Sequence, residues 1–341
     1  MLTTTKNLVP VCAVALVTAC GGGGGGGTSV SSTNLPAAVA AASLDASNKT
    51  VASQDVTSLA LGLFDTSSTA FGVDSPKDSL LYTEAFSHLD RFPVYFADTN
   101  ANPTVVGVVP TQTYSCPSGG SFSASVNDAD NNSRASAGDT LSVTYNNCVS
   151  GSVTISGSVS FTITALTGTY GTTPYTVGAS MSLNNLSATS PAYSAAMTGA
   201  FAFNGTKTGT NAFTQTISVS SLSASANYAG VTRSRSLSGF SGTETRVADN
   251  TYGYVTSYSV SGTLASSGFS GTRSVSFTTP TTFQRRGTAT YPYVGGILIT
   301  GASNSSVKIT TLSNTQVQVE LDANGDAIFE SSTNVNWNTL I

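Results

Sequence analysis

From about Thr104 to the C terminus, apolar and polar residues take turns along the chain. Val153, Ile155, Gly157, Val159, Phe161, Ile163 and Ala165 alternate strictly with Ser and Thr. The same period of two runs through Tyr193, Ala195, Met197, Gly199, Phe201 and Phe203, and through Tyr252, Tyr254, Thr256, Tyr258, Val260, Gly262 and Leu264. Phe269, Gly271, Arg273, Val275 and Phe277 form a further run, and Val317, Val319 and Leu321 alternate with Gln316, Gln318 and Glu320. Alternation of this kind buries one face of an extended strand and leaves the other in water, the mark of an antiparallel sheet. Short tips such as Thr167 to Pro174 and Asn204 to Asn211 separate the runs. In one run Ile217 and Val219 give way to Leu222 and Ala224, a slip that predicts a bulge at Ser220-Ser221. The fold expected is mainly all-β: a long antiparallel meander of roughly a dozen strands, curled or barrel-like because so large an apolar face has to be covered.

Residues 35–103 read differently. Ala37 to Ala42 is a strong helix former, and Gln54 to Phe64 places Val56, Leu59, Leu63 and Phe64 near one helical face. Ser75-Pro76-Lys77-Asp78 has the form of a helix start ahead of Leu80 to Arg91, which Pro93 would end. A small helical segment is therefore expected before the β domain of residues 104–341. Within that domain Ser238 to Thr243 recurs identically as Ser267 to Thr272. Chance in a Ser/Gly/Thr-rich chain and a duplicated hairpin both explain the repeat.

The N terminus carries a single charge, Lys6, before an apolar run from Leu8 to Val17 that is too short for a permanent membrane helix. It ends in Val17-Thr18-Ala19-Cys20, and Gly21 to Gly27 follow. These residues resemble the lipobox of bacterial lipoproteins, with a flexible tether after the modified Cys. The resemblance covers this segment alone. It implies a signal peptide over residues 1–19, lipidation of Cys20 with a diacylglycerol anchor and palmitate, and a linker over residues 20–34. With Gly21 rather than Asp after the Cys, it also implies passage to the outer membrane. Export agrees with the remaining cysteines. In an oxidising compartment Cys116 and Cys148 would join, since the runs Ser121–Val126 and Leu141–Tyr145 pair as a hairpin with the two Cys near its base.

Charged residues make up only 9% of the 341, and Ser and Thr supply 104 positions. Thirteen Lys+Arg against seventeen Asp+Glu exclude a broad basic surface and generic nucleic-acid binding. Candidate chemistry is sparse. Asp128, Asp130, Asn132 and Asp139 stand at positions 1, 3, 5 and 12, the oxygen-donor spacing of a calcium loop, but Ser133 replaces the usual Gly and Arg134 adds positive charge. Asp322, Asn324 and Asp326 form a weaker oxygen cluster around an Asn-Gly turn. Turns held by Asx side chains explain both without a metal, so the expectation is no cofactor, with calcium the one candidate.

His88 is the only imidazole, no GxSxG elbow occurs, and no close carboxylate pair stands out, so no catalytic residues are assigned. Tyr252, Tyr254 and Tyr258 share one strand face, with Tyr291 and Tyr293 later, and Arg233, Arg235, Arg246, Arg273, Arg285 and Arg286 concentrate in the same half. The leading expectation is an outer-membrane-anchored, non-catalytic structural or adhesive module. The alternative is a carrier of a lipid or other apolar ligand, motivated by Gly157, Gly199, Gly262 and Gly271 at inward positions where missing side chains leave either room or close packing. A hydrolase using His88 comes third. Expected partners are the membrane, through the anchor, and a surface partner or apolar ligand, without nucleic acid.

Overall fold

Alternation is realised as one continuous antiparallel sheet. A computed structural model describes residues 39–62, 111–170, 172–191, 193–209, 211–228 and 231–340. Its strands are β1 Gln112–Ser115, β2 Ser121–Asn127, β3 Thr140–Ser150, β4 Val153–Thr169, β5 Thr172–Ser190, β6 Tyr193–Gly209 and β7 Ala212–Tyr228. They continue as β8 Val231–Asp249, β9 Gly253–Ser266, β10 Arg273–Arg286, β11 Val294–Thr300, β12 Ser306–Thr311, β13 Gln316–Asp322 and β14 Ser331–Asn336. Each strand pairs with the next, so the 14 strands form a meander that is curled and unclosed. Residues with a period of two meet on one face: Leu141 and Val143 of β3, Val159 and Phe161 of β4, Phe201 and Phe203 of β6, and Ile297 and Ile299 of β11 are all buried in a single core. Each such side chain stabilises the fold by about 1.5–3 kcal/mol on burial. The opposite face carries Ser and Thr, which pair across strands as in Ser160 with Ser182 (2.7 Å) and Thr176 with Thr206 (3.0 Å).

The curl has a local cause. In β3 the alternation Leu141, Val143, Tyr145 resumes at Cys148, with Asn146-Asn147 intervening. In β5 Leu183 is followed by Leu186, with Asn184-Asn185 between. Asn147 and Asn185 both take φ 47, a left-handed conformation that Asn tolerates better than most residues. The expected bulge in β7 is present, since Ala200 pairs Ser221 while Phe201 pairs Val219. In β8 the core side switches from Leu237 to Phe240, across Gly239.

Inward glycines stand opposite these insertions on the intervening strands. A Cβ on Gly157, itself at φ +105, would collide with the Asn185 carbonyl. One on Gly199 would lie 2.6 Å from the Ser221 oxygen, and one on Gly262 3.0 Å from Phe277. A crease thus runs across β3 to β9, with an extra residue on one strand and close backbone approach on its neighbour. Of the two meanings open for these glycines, close packing holds at Gly157, Gly199 and Gly262. Gly271 differs: it lies in the β9–β10 turn at φ +93, with open space around it.

Helix α1, Lys49–Gly62, is buried on nearly all sides and packs chiefly on β9, β11 and β12. Ala52, Val56, Leu59 and Ala60 are at most 1% exposed, and so are the polar Ser53 and Thr57. An amphipathic surface helix would expose one side; this one is enclosed all round. The expected helix at Ala37 to Ala42 is not formed over its described part. There Ala42 donates to the Ser274 carbonyl (2.8 Å) and Ser274 to that of Ala40 (3.0 Å), and Ala302 donates to Ala42 (2.6 Å). Backbone partners offered where β10 and β11 part override the helical preference of alanine. The later predicted helix at Leu80 to Arg91, with Leu63, Phe64, His88 and the lipobox through Cys20, lies outside the described residues.

The repeated hexapeptide adopts two conformations: Ser238 to Thr243 lies within β8, and Ser267 to Thr272 forms the β9–β10 turn. Phe269 therefore belongs to a turn and not to a strand, although it remains buried.

Candidate functional sites

The β2–β3 loop is built around two buried carboxylates. Asp139, fully buried, accepts the N–H groups of Ala129 (2.9 Å) and Ser136 (2.6 Å). Asp128, 8% exposed, accepts those of Asn132 (3.2 Å) and Ser133 (2.7 Å). Asp130 accepts from the Asn132 backbone and side chain and from the Ser136 hydroxyl. Burial pushes the Asp130 carboxyl up, but these hydrogen bonds outweigh it and hold the group below the usual carboxylate range. Asn132 turns its side-chain oxygen to the Arg134 N–H, 2.7 Å away.

The β13–β14 loop repeats the design. Asp322 accepts from Gly325 (2.7 Å) and Ala327 (2.9 Å), Asn324 from Asp326 (2.9 Å), and Asp326 from Ile328 (2.8 Å). Glu330 joins this cluster by accepting the Ala323 N–H, a member that sequence reasoning missed although it stands eight residues after Asp322. In each loop three carboxylates bring oxygens within 4.8 Å of one another: Asp128, Asp130 and Asp139 in one, Asp322, Asp326 and Glu330 in the other. Such a set suits a hard divalent cation. The same oxygens already satisfy the loop backbone, so the turns have a structural role in their own right.

Cys116 and Cys148 form a disulfide with Cα atoms 5.4 Å apart, tying the β1–β2 turn to β3 across β2. Ser118 and Val149 add a backbone bond beside it (2.9 Å).

The arginines divide by strand parity. Arg235 of β8 points inward and forms a buried ion pair with Asp55 of α1, while Ser266 donates to the other Asp55 oxygen (2.7 Å). Glu244, also buried, accepts from Gln215 of β7. Arg246 rests on Phe213 (4.8 Å) and Tyr254 (4.3 Å), and Arg285 on Tyr258 (5.5 Å). Arg273, at the start of β10, is exposed. Arg286 faces outward against Tyr252 (4.7 Å) and Tyr293 (3.7 Å). Tyr252 thus sits in the β8–β9 turn, apart from the buried Tyr258, and Tyr291 stacks on the buried Trp337 with ring centres 6.0 Å apart.

A pocket of about 380 Å³ crosses β5 to β9, where Asn185, Thr198, Ser223, Ser225 and Ser236 supply polar lining beside Ala196 and Met197. Neither Asp55 nor its pairing with Arg235 was visible in the sequence, because 180 positions separate them. No family model matches the chain, and no curated protein or solved structure matches it significantly.

Proposed function

We propose that this chain is a lipoprotein anchored to the bacterial outer membrane through Cys20, whose β domain acts as a non-catalytic structural or adhesive module. The observation that carries the reading is the aromatic-rich packing of the inner face among the described residues. Phe161, Phe201, Phe203, Phe240, Phe277 and Phe283 are each at most 2% exposed on the inner face, and α1 is packed against it. Inward glycines sit against neighbouring backbone, so the surface offered to a partner is the hydroxyl-rich outer face. The lipobox-like Val17-Thr18-Ala19-Cys20 and its glycine tether support the anchor.

Native mass spectrometry of a periplasmically expressed Cys20→Ser protein, purified without detergent, tests the reading. A bare mass, less two protons for the disulfide, is expected. A co-purifying apolar adduct would favour the carrier instead. One calcium per loop, removed by chelator, would assign the loops of Asp128 and Asp322 to metal. Labelled palmitate incorporated into the native chain and lost in Cys20→Ser would establish the anchor.

A further inference from the structure

The outer face is polar almost everywhere except at the end of the sheet where β8 turns into β9 and β10 leaves toward β11. Three of the six large hydrophobic residues exposed among the described residues gather there: Val247 at 58%, Tyr252 at 45% and Val294 at 36%. Register places them around one cation. Val247 pairs Val255 and Val255 pairs Arg286, so these three form a row across β8, β9 and β10. One step along the strands lies a second row, Thr245, Ser257, Gln284 and Val294.

Arg286 is exposed, and its guanidinium is held over the Tyr293 and Tyr252 rings. The Tyr293 hydroxyl is itself fixed by donating to the Gln284 side chain (2.7 Å). No carboxylate or hydrogen-bond acceptor takes the Arg286 N–H groups among the described residues. Asp249, the acid of the adjoining turn, instead accepts the N–H groups of Thr251 and Tyr252, each at 2.8 Å. A guanidinium held against aromatic rings has lost rotamer freedom before any ligand arrives, while its N–H edge remains suited to a two-pronged bond with a carboxylate.

We infer that this patch binds a carboxylated saccharide, with Arg286, braced by Tyr293, taking the acid group, the exposed Tyr252 an apolar sugar face, and Thr245, Ser257 and Gln284 the hydroxyls. The inference deepens the adhesive reading above and rests on it. A single accessible cation matches one carboxylate per sugar. The exposed Tyr252 ring beside neutral hydrogen-bonding groups matches the mixed character of a pyranose.

Titration calorimetry of the full Cys20→Ser chain with oligogalacturonate, and with its methyl ester, tests this. Saturable binding to the free acid is expected, weakened at least roughly tenfold by esterification and by Arg286→Gln. Arg286→Lys also weakens it, because charge remains but the planar fork is lost. Arg273→Gln, at the opposite end of β10, leaves it unchanged. An unaltered melting temperature shows that Arg286→Gln still folds.

Absence of saturation, equal binding of the ester, or indifference to Arg286→Gln overturns the proposal. So does Arg286-dependent binding to phosphatidylglycerol vesicles without binding to oligogalacturonate, which would make the patch a headgroup contact. Failure in calorimetry with a bare native mass removes the sugar site and leaves the anchored module standing. An apolar adduct removes the module reading whatever the calorimetry gives.

Discussion

The creased strands β3 to β9 and the short strands β11 to β14 shape their apolar faces by different means. From β11 onward the register runs without a shift, and the inner positions are branched aliphatics: Ile297, Ile299, Val307, Ile309, Val317 and Val319. A regular sheet of this kind bends little, and α1 lies against it at β11 and β12, reaching also to β9 and, through Asp55, to Arg235 of β8. The earlier strands are longer and mix Phe, Met, Ala and Gly on the inside, with a corner in nearly every strand. There the sheet curls, and its inner side chains join the same core. Regular pairing gives register at the expense of curvature; bulges with opposed glycines give curvature at the expense of local pairing.

The largest test of that division removes the helix's anchor. Asp55→Ala removes the buried carboxylate that Arg235 pairs with, and a loss of about 3–5 kcal/mol in denaturant unfolding is expected. Replacing both partners, Asp55→Leu with Arg235→Met, should recover most of it, because neither charge then remains in the interior. If the single and double variants lose the same amount, helix packing rather than charge compensation dominates.

At the other end, converting both Cys116 and Cys148 to Ala releases a loop of sequence separation 32. Chain entropy puts the cost at about 3–4 kcal/mol. Comparing the melting of the oxidised and reduced native chain measures the same quantity without mutation.

The crease itself is probed by Gly157→Ala, where positive φ and the Asn185 carbonyl both oppose a methyl group. Its expected cost is about 2–3 kcal/mol. Gly209→Ala, with φ unrestricted and only the Ala212 side chain 3.6 Å away, should stay within about 0.5 kcal/mol. Equal effects at the two positions would mean that the crease tolerates a side chain.

The smallest effect concerns the approach to α1. Asp45 accepts the Ser47 hydroxyl, and the backbone N–H groups of Ser47 and Asn48, which hold its carboxyl below the ordinary range despite the opposing effect of burial. A group lowered in the folded state contributes fully at neutral pH. That contribution fades as pH falls below the ordinary carboxylate range and through the folded value. Asp45→Asn should therefore lower the neutral plateau slightly and flatten the acid limb, the two stability curves converging below the ordinary carboxylate range.

Much of this division was legible in the residues. Alternation located the strands and their buried sides, and the slip after Val219 marked one corner. The matching corners in β3 and β5 also had a signal, the same pattern of an apolar residue, two Asn and another apolar residue at Tyr145–Cys148 and Leu183–Leu186. An Asn pair looks polar whichever face it occupies, so the break in parity is visible only when the flanking apolar residues are compared. Composition could not show that an alanine-rich stretch would enter between β10 and β11, because the partners at Ser274 and Ala302 are more than two hundred residues away. Parity did separate Arg285 from Arg286: adjacent residues of a strand point to opposite faces, and Arg285 falls in step with the buried Phe283.

The enclosed helix has a consequence for the order of assembly. A chain is made from its N terminus, so α1 emerges long before the surfaces that surround it. Leu44 donates to the Ser305 hydroxyl across 261 positions, and Ser58 to the Leu340 carbonyl across 282. Until the final strands arrive, this buried segment has little to bury it. The central hairpins can pair as they appear, whereas the helix must wait for the strands that enclose it.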